Sequence, residues 1–201
     1  MSTSSGKMAT AGNFLGTGTM GSVDYFLKKY GPSAGHAVIS KLSPAGRAFV
    51  QPNAPSLGIL AARKYPYAFI GELFRAMIAV SKAPEDQFLR DCTSAGMDAT
   101  IDTVGRIALR YAVTPQMLAP RAQELWNHFH DSGVVNVRVI SENEYISELT
   151  HWPDHDVTVC KISAEARRRL IERTGKKNVE VARLQCVSWG HDRCTVRVRW
   201  S

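Results

Sequence analysis

Residues 178–200, NVEVARLQCVSWGHDRCTVRVRW, decide the fold class of this chain. Apolar residues alternate with polar ones in two runs, and Gly190-His191-Asp192 lies between them. A period of two marks a strand with one buried face. Two such runs across a short glycine-containing loop predict a β-hairpin. With a three-residue loop, Trp189 stands opposite Arg193. Glu180, Ala182, Leu184, Cys186, Cys194, Val196, Val198 and Trp200 then share one face, mostly apolar and therefore the expected core face. Arg183, Arg197 and Arg199 fall on the other. Cys186 and Cys194 become diagonal neighbours about 7–8 Å apart. Cys160, in a run expected to join the same sheet, is the candidate third thiol of the group.

Upstream of the hairpin, Ser163–Gly175 reads as a compact helix with Ser163 as N-cap and Gly175 as its left-handed stop. Residues 156–162, DVTVCKI, read as a strand, and so do 134–140, VVNVRVI, where Val135, Val137 and Val139 alternate with polar neighbours. The order is β–β–α–β–β. The preceding part reads as helices. Val23, Phe26, Leu27 and Tyr30 form one stripe stopped by Gly31-Pro32, and a second helix is expected over 33–42. Ser43-Pro44 is an N-cap followed by proline at the first helical position. Residues 51–62 read as a loop. Phe69, Leu73, Ala76, Met77 and Val80 mark a helix after Tyr65-Pro66. A long helix is expected from Ala83-Pro84 to about Tyr111, and another from Thr114-Pro115 to Gly133. The expected class is α+β: an N-terminal helical layer packed on a C-terminal, mainly antiparallel sheet. Residues 1–18, rich in Gly, Ser and Thr, read as a disordered tail, which leaves 19–201 as one domain.

The chain has 201 residues, 44% of them apolar and 21% charged, enough for an ordinary globular core. No apolar run reaches the roughly 18–20 residues of a membrane span. The first residues lack the pattern of a secretory signal, so the expected location is cytoplasmic, where Cys92, Cys160, Cys186 and Cys194 stay reduced. The net charge of +7 is unevenly spread. Residues 161–201 hold eleven basic and four acidic side chains, and the rest of the chain is neutral overall. Arg167, Arg168, Arg169, Lys176, Lys177, Arg197 and Arg199 form a candidate basic patch for a phosphate backbone or an acidic protein. The alternative is that these side chains merely solvate the outer face of a helix and a sheet.

The spacing Cys160-x25-Cys186-x7-Cys194, with Gly190 just before the last cysteine and a closing strand that ends in Trp200, resembles the 4-vinyl reductase domain. That domain senses aromatic compounds in bacterial regulators, and its fold is related to small subunits of the TRAPP tethering complexes. The front half, with KYGPSAGHAVISKLSP and ARKYPYAFIGELFRAMI, is similar to a group of stand-alone bacterial proteins, many from myxobacteria, associated with the same fold. The resemblance implies a structural zinc on Cys160, Cys186 and Cys194. The family's glutamate ligand falls on Arg183, so the fourth donor would be Glu180, His191, His155 or water; otherwise the thiols simply pack. The family's phenol-gripping histidine and tryptophan fall on Tyr111 and Val139, which does not support phenol sensing. A different small hydrophobic ligand is the expectation, with Phe69, Phe74, Tyr111, Trp126 and Phe129 as candidate lining. Ordinary core packing is the alternative for that aromatic stripe.

Other constellations are weaker. His128 and His130 lie two apart on a helix and point to different faces. His151 and His155, with Asp154 and Asp156 nearby, could meet in a loop metal site. Gly16, Gly18 and Gly21 mimic a dinucleotide fingerprint, but no strand is expected before them. No nucleophile, base and orienting group come together. The expected function is therefore a non-enzymatic ligand-binding or regulatory domain. It would signal through a protein partner, as a homodimer. A scaffold module without a small ligand and a nucleic-acid-associated regulator using the basic segment are the alternatives.

Overall fold

The computed structural model describes residues 12–104, 115–153 and 155–201. A short strand β1 (Asn13–Leu15) pairs antiparallel with β2 (Lys64–Pro66). The helical layer consists of α1 (Gly16–Tyr30), α2 (Pro32–Lys41), α3 (Pro44–Arg47), α4 (Tyr67–Ser81), α5 (Glu85–Val104), α6 (Pro115–Leu118) and α7 (Ala122–Phe129). Strands β3 (Val134–Ser141) and β4 (Glu144–Thr150) form a hairpin, α8 (Val157–Arg173) follows, and β5 (Glu180–Gln185) and β6 (Cys194–Arg199) close the chain. The four-stranded sheet has the order β3-β4-β6-β5, antiparallel throughout. The α+β class and the β–β–α–β–β order stand as expected.

The front half follows its local signals. Gly31, at φ 85°, ends α1 where no side chain fits comfortably. Ser43 Oγ accepts from Gly46 N–H at 3.0 Å, capping α3 behind Pro44. Helices α1 and α5 cross at small residues: a Cβ added at Gly21 would lie 2.7 Å from Ala99 Cβ, and one at Gly96 would strike the Gly18 carbonyl. Ser22 and Cys92 lock the crossing, Ser22 Oγ to the Cys92 carbonyl at 3.0 Å and Cys92 Sγ to the Ser22 carbonyl at 3.3 Å. Residues 12–18, expected in a tail, instead form β1 and open α1; Gly16 N–H donates to the Arg63 carbonyl at 2.8 Å. Residues 1–11 lie outside the described part. A strand does precede the glycines of 16–21, but it belongs to a two-stranded antiparallel ribbon, and its glycines serve close packing.

Three expectations are corrected. Residues 157–162 are helical, the first turns of α8 and not a strand. Asp156 caps that helix by accepting from the N–H groups of Thr158 (2.8 Å) and Val159 (3.1 Å), and this cap overrides the β preference of the Val-Thr-Val run. The second strand is EYISELT, where Tyr145, Ser147 and Leu149 face the core. The helix expected over 114–133 breaks at Pro120, where a 3₁₀ turn joins α6 to α7. The final hairpin also has a different register. Val181 pairs with Val198 and Arg183 with Val196, because residues 186–193 form one long turn with a 3₁₀ segment at Val187–Trp189. The odd shift turns β5 over. Val181 packs against the core and Leu184 is exposed, while Val196, Val198 and Trp200 stay buried as expected.

Candidate functional site

The sheet presents Val135 and Val137 of β3 and Tyr145 and Ser147 of β4 toward the helical layer. Helix α8 lies across them, and its residues 159, 162, 163, 166, 167 and 170 fall at the spacing of one helical stripe. Helices α1, α5 and α7 close the other side. Together they frame a half-open cavity of about 190 Å³, walled mainly by apolar side chains. Of the five residues expected to line a pocket, Trp126 and Phe129 do so. Phe69 and Phe74 are buried in the core next to it, Phe69 against Phe49 and Tyr65. Tyr111 lies outside the described residues. A second hollow of about 360 Å³ sits under the 48–63 loop. Its one titratable lining group among the described residues, Arg63, stacks on Phe49 and Tyr65.

Among the described residues two basic groups stand in the wall of the first cavity. His130 stacks flat on Trp126, with centroids 3.5 Å apart and planes 5° from parallel, and its Nδ1 lies 2.8 Å from the Tyr67 hydroxyl. Trp126 is itself held, its Nε1–H donating to the Ser132 carbonyl at 2.7 Å. Burial pushes the imidazole pKa down to about 3, so the ring is neutral at any physiological pH. Arg167 is the second group. Its Nη1 donates to the Ser163 carbonyl (2.8 Å) and Ser163 Oγ (2.6 Å), and its Nη2 to Ser147 Oγ (3.3 Å). Tyr145 lies 5% exposed in the same wall, and burial raises its phenol to about 12.

Cys160 reaches the sheet from α8 and meets Cys186 and Cys194. The Sγ–Sγ distances are 3.7 Å (160–194), 3.8 Å (160–186) and 3.8 Å (186–194). His155 Nε2 lies 3.5 Å from Cys186 Sγ, so of the candidate fourth donors it is His155 that joins the group. All four donor atoms lie within 4.8 Å of one another, which is a donor set able to converge on one soft ion. The thiol of Cys160, hydrogen-bonded to Cys194, holds the Cys194 pKa below the ordinary thiol range. His151 stays exposed and does not approach, and Asp156 is occupied as the cap of α8. Cys92 is a packed thiol, its pKa pushed up to about 12 by burial.

The seven residues read as a basic patch are placed unequally, and Arg197 lies half-buried on β6. Arg167 turns into the cavity. Arg168, 8% exposed, pairs with Glu165 and with Glu172 (2.8 Å). Arg169 pairs with Asp98 (2.6 Å), Arg173 with Asp98 and Asp102, and Arg199 with Glu144 (3.0 Å). Lys176 and Lys177 remain exposed.

No family model matches the chain, and no curated protein matches it. Solved structures do. An Fe(II) unliganded H-NOX protein mutant from K. algicida aligns over 93% of this chain and 96% of its own, with TM-score 0.65 and 10% identity. The fold is that of H-NOX domains. An H-NOX protein from S. oneidensis in the Fe(II)NO ligation state aligns over 92% and 99%, with TM-score 0.65 and 11% identity. An oxygen-binding H-NOX domain related to soluble guanylate cyclases aligns over 92% of both chains, with TM-score 0.60 and 9% identity. These neighbours overturn the resemblance to the vinyl-reductase domain, which rested on cysteine spacing and helix order. The zinc expectation falls with it, since it came from that family and the metal of the H-NOX neighbours is iron. Nor does the strand assumed for Cys160 exist, for that thiol arrives from a helix.

A further similar structure, at TM-score 0.59 and 9% identity, concerns a haem whose porphyrin the protein distorts. The described residues of this chain do not fit that group. A cavity of about 150 Å³ accommodates benzene, so one of about 190 Å³ suits a ligand of similar scale and not a porphyrin. The one histidine among its described lining residues is built into the wall by Trp126 and Tyr67.

Proposed function

We propose that this chain is a non-catalytic sensor domain on the H-NOX fold that binds a small, largely apolar molecule between its helical layer and its sheet. The observation that carries this is the cavity itself: about 190 Å³, apolar-walled, placed where α8 meets β3 and β4, with few and fixed polar groups. A scaffold of the same shape would have a filled core there. The arginines of 167–199 are largely matched by carboxylates or turned inward, which argues against the nucleic-acid reading. Among the described residues no helix is long and apolar enough to cross a membrane. The bound state passes to a protein partner, with a homodimer as the first carrier to test by light scattering.

Benzene and benzyl alcohol are the probes. Each should raise the thermal midpoint saturably, and Ala166→Phe, which fills the cavity from α8, should abolish the shift while leaving far-UV circular dichroism unchanged. Absence of any shift with the wild-type protein would refute the reading. Titration with haemin should give no stoichiometric Soret band. A one-to-one band that is lost in His130→Ala would instead restore haem to the cavity.

A further inference from the structure

The cavity wall contains a guanidinium that no carboxylate among the described residues pairs with. Arg167 makes its hydrogen bonds to neutral oxygens only, the Ser163 carbonyl and the hydroxyls of Ser163 and Ser147. Among the described residues no carboxylate pairs with it, whereas Arg168 and Arg169, its immediate neighbours in sequence, pair with Glu165, Glu172 and Asp98. The titratable groups that face it are His130 and Tyr145, both kept neutral by burial, and the thiols of Cys160 and Cys194; Cys194, with its lowered pKa, favours the cation from a distance, but no hydrogen bond joins either sulfur to the guanidinium. Burial lowers the Arg167 pKa more than the nearby Tyr145, Cys160 and Cys194 raise it. A half-buried guanidinium bonded only to neutral oxygens gains a charge-assisted pair when an anion enters the cavity. Its planar fork of donors matches a carboxylate, and the apolar wall around it suits the body of an organic acid.

We propose that the ligand of this cavity is a small carboxylic acid, its carboxylate paired with Arg167 and its apolar body lying against Trp126, Phe129, Val135 and Val137. The inference rests on the sensor reading above and deepens it. The cavity volume limits the acid to about the size of benzoate or hexanoate. Ser147 and Ser163 hold the guanidinium in place through Nη1 and Nη2, and its Nε–H makes no hydrogen bond to the described residues.

The test is isothermal titration of the full chain with matched pairs at pH 7.5: benzoate against benzyl alcohol, and hexanoate against 1-hexanol. A charge-assisted pair should make each acid bind about 10- to 100-fold tighter than its alcohol. Arg167→Met should erase that preference while still binding the alcohols, and Arg167→Lys, which keeps a point charge without the fork, should retain part of it. Equal affinity of acid and alcohol in the wild-type protein overturns the inference and leaves the cavity reading intact. So does an acid preference that survives in Arg167→Met. Binding of neither acids nor alcohols removes both readings. If Arg167→Met does not fold, the wild-type pairs and Arg167→Lys decide.

Discussion

Acidification should destabilise this protein through His130, and the size of the effect follows from the cavity wall. The ring is 9% exposed, stacked on Trp126 and bonded to Tyr67, and its pKa falls from 6.5 to about 3. The folded state therefore refuses a proton that the unfolded chain accepts. Stability from this group is fully present above pH 6.5 and is lost as the pH falls toward 3, because over that window only the unfolded state gains protons. At pH 5 the unfolded chain is stabilised by about 2 kcal/mol relative to pH 7.5, and each further unit adds about 1.4 kcal/mol until the folded pKa is reached. Urea denaturation of wild type, His130→Phe and His130→Gln at pH 7.5, 6 and 5 isolates the term. Only the difference in slope between wild type and the variants is read. Wild type should lose about 2 kcal/mol more than either variant between pH 7.5 and 5. Parallel pH profiles would show that His130 is solvated or charged in the folded state, and the reading of a closed apolar wall would fail.

Three further outcomes test the frame around the site. Asp156→Ala removes the cap of α8 and the 2.7 Å pair with Arg75, and should cost about 1–2 kcal/mol by urea denaturation; Asp156→Asn, which keeps an acceptor for Thr158 and Val159, should cost clearly less. Gly96→Ala pushes a methyl into the Gly18 carbonyl and Ser22 at the α1–α5 crossing and should lower stability by about 1–3 kcal/mol; a neutral result would mean the helices are farther apart. All four cysteines are buried, so none should react with an aromatic disulfide reagent in the folded protein and all four should react in denaturant. A fast stoichiometric reaction before unfolding would place one of them at the surface.

What the sequence made legible was local. Gly31-Pro32, Ser43-Pro44, Tyr65-Pro66 and Gly175 act through φ angles, caps and missing donors, which one residue dictates whatever surrounds it. The alternating Val196, Val198 and Trp200 likewise announced a buried strand face. The errors arose where distant contacts decide. Val157-Thr158-Val159 prefers a strand in isolation, but the Asp156 cap and the packing of Val159 and Ile162 on the cavity make it a helix. The register of β5 depends on the length of a turn whose 3₁₀ segment leaves no periodic trace. The cysteine group was legible by spacing, yet its fourth member, His155, was one of several candidates, because nothing local marks which donor the fold folds inward. Arg167 was read as surface charge on the same ground. Three successive arginines look alike in a sequence, and only the helical stripe that contains Val159, Ile162, Ala166 and Leu170 distinguishes the one that faces the cavity.

That stripe gives α8 a double role. Cys160 and Arg167 stand seven residues apart, two helical turns, so one rigid element carries a member of the thiol group and the charged group of the cavity. The helix is fixed at its start by Asp156 to Arg75 of α4 and along its length by Arg169 and Arg173 to Asp98 and Asp102 of α5. Its contacts with the sheet are of another kind: Arg167 to Ser147 at 3.3 Å is a long hydrogen bond to a neutral hydroxyl. A ligand that takes over the Arg167 donors competes with the weakest of these ties and leaves the ion pairs to α4 and α5 in place. The sheet-facing contact is thus the one a bound anion can exchange without unfolding the helix, and any rearrangement on binding should be found between α8 and β4 before it is found in the helical layer.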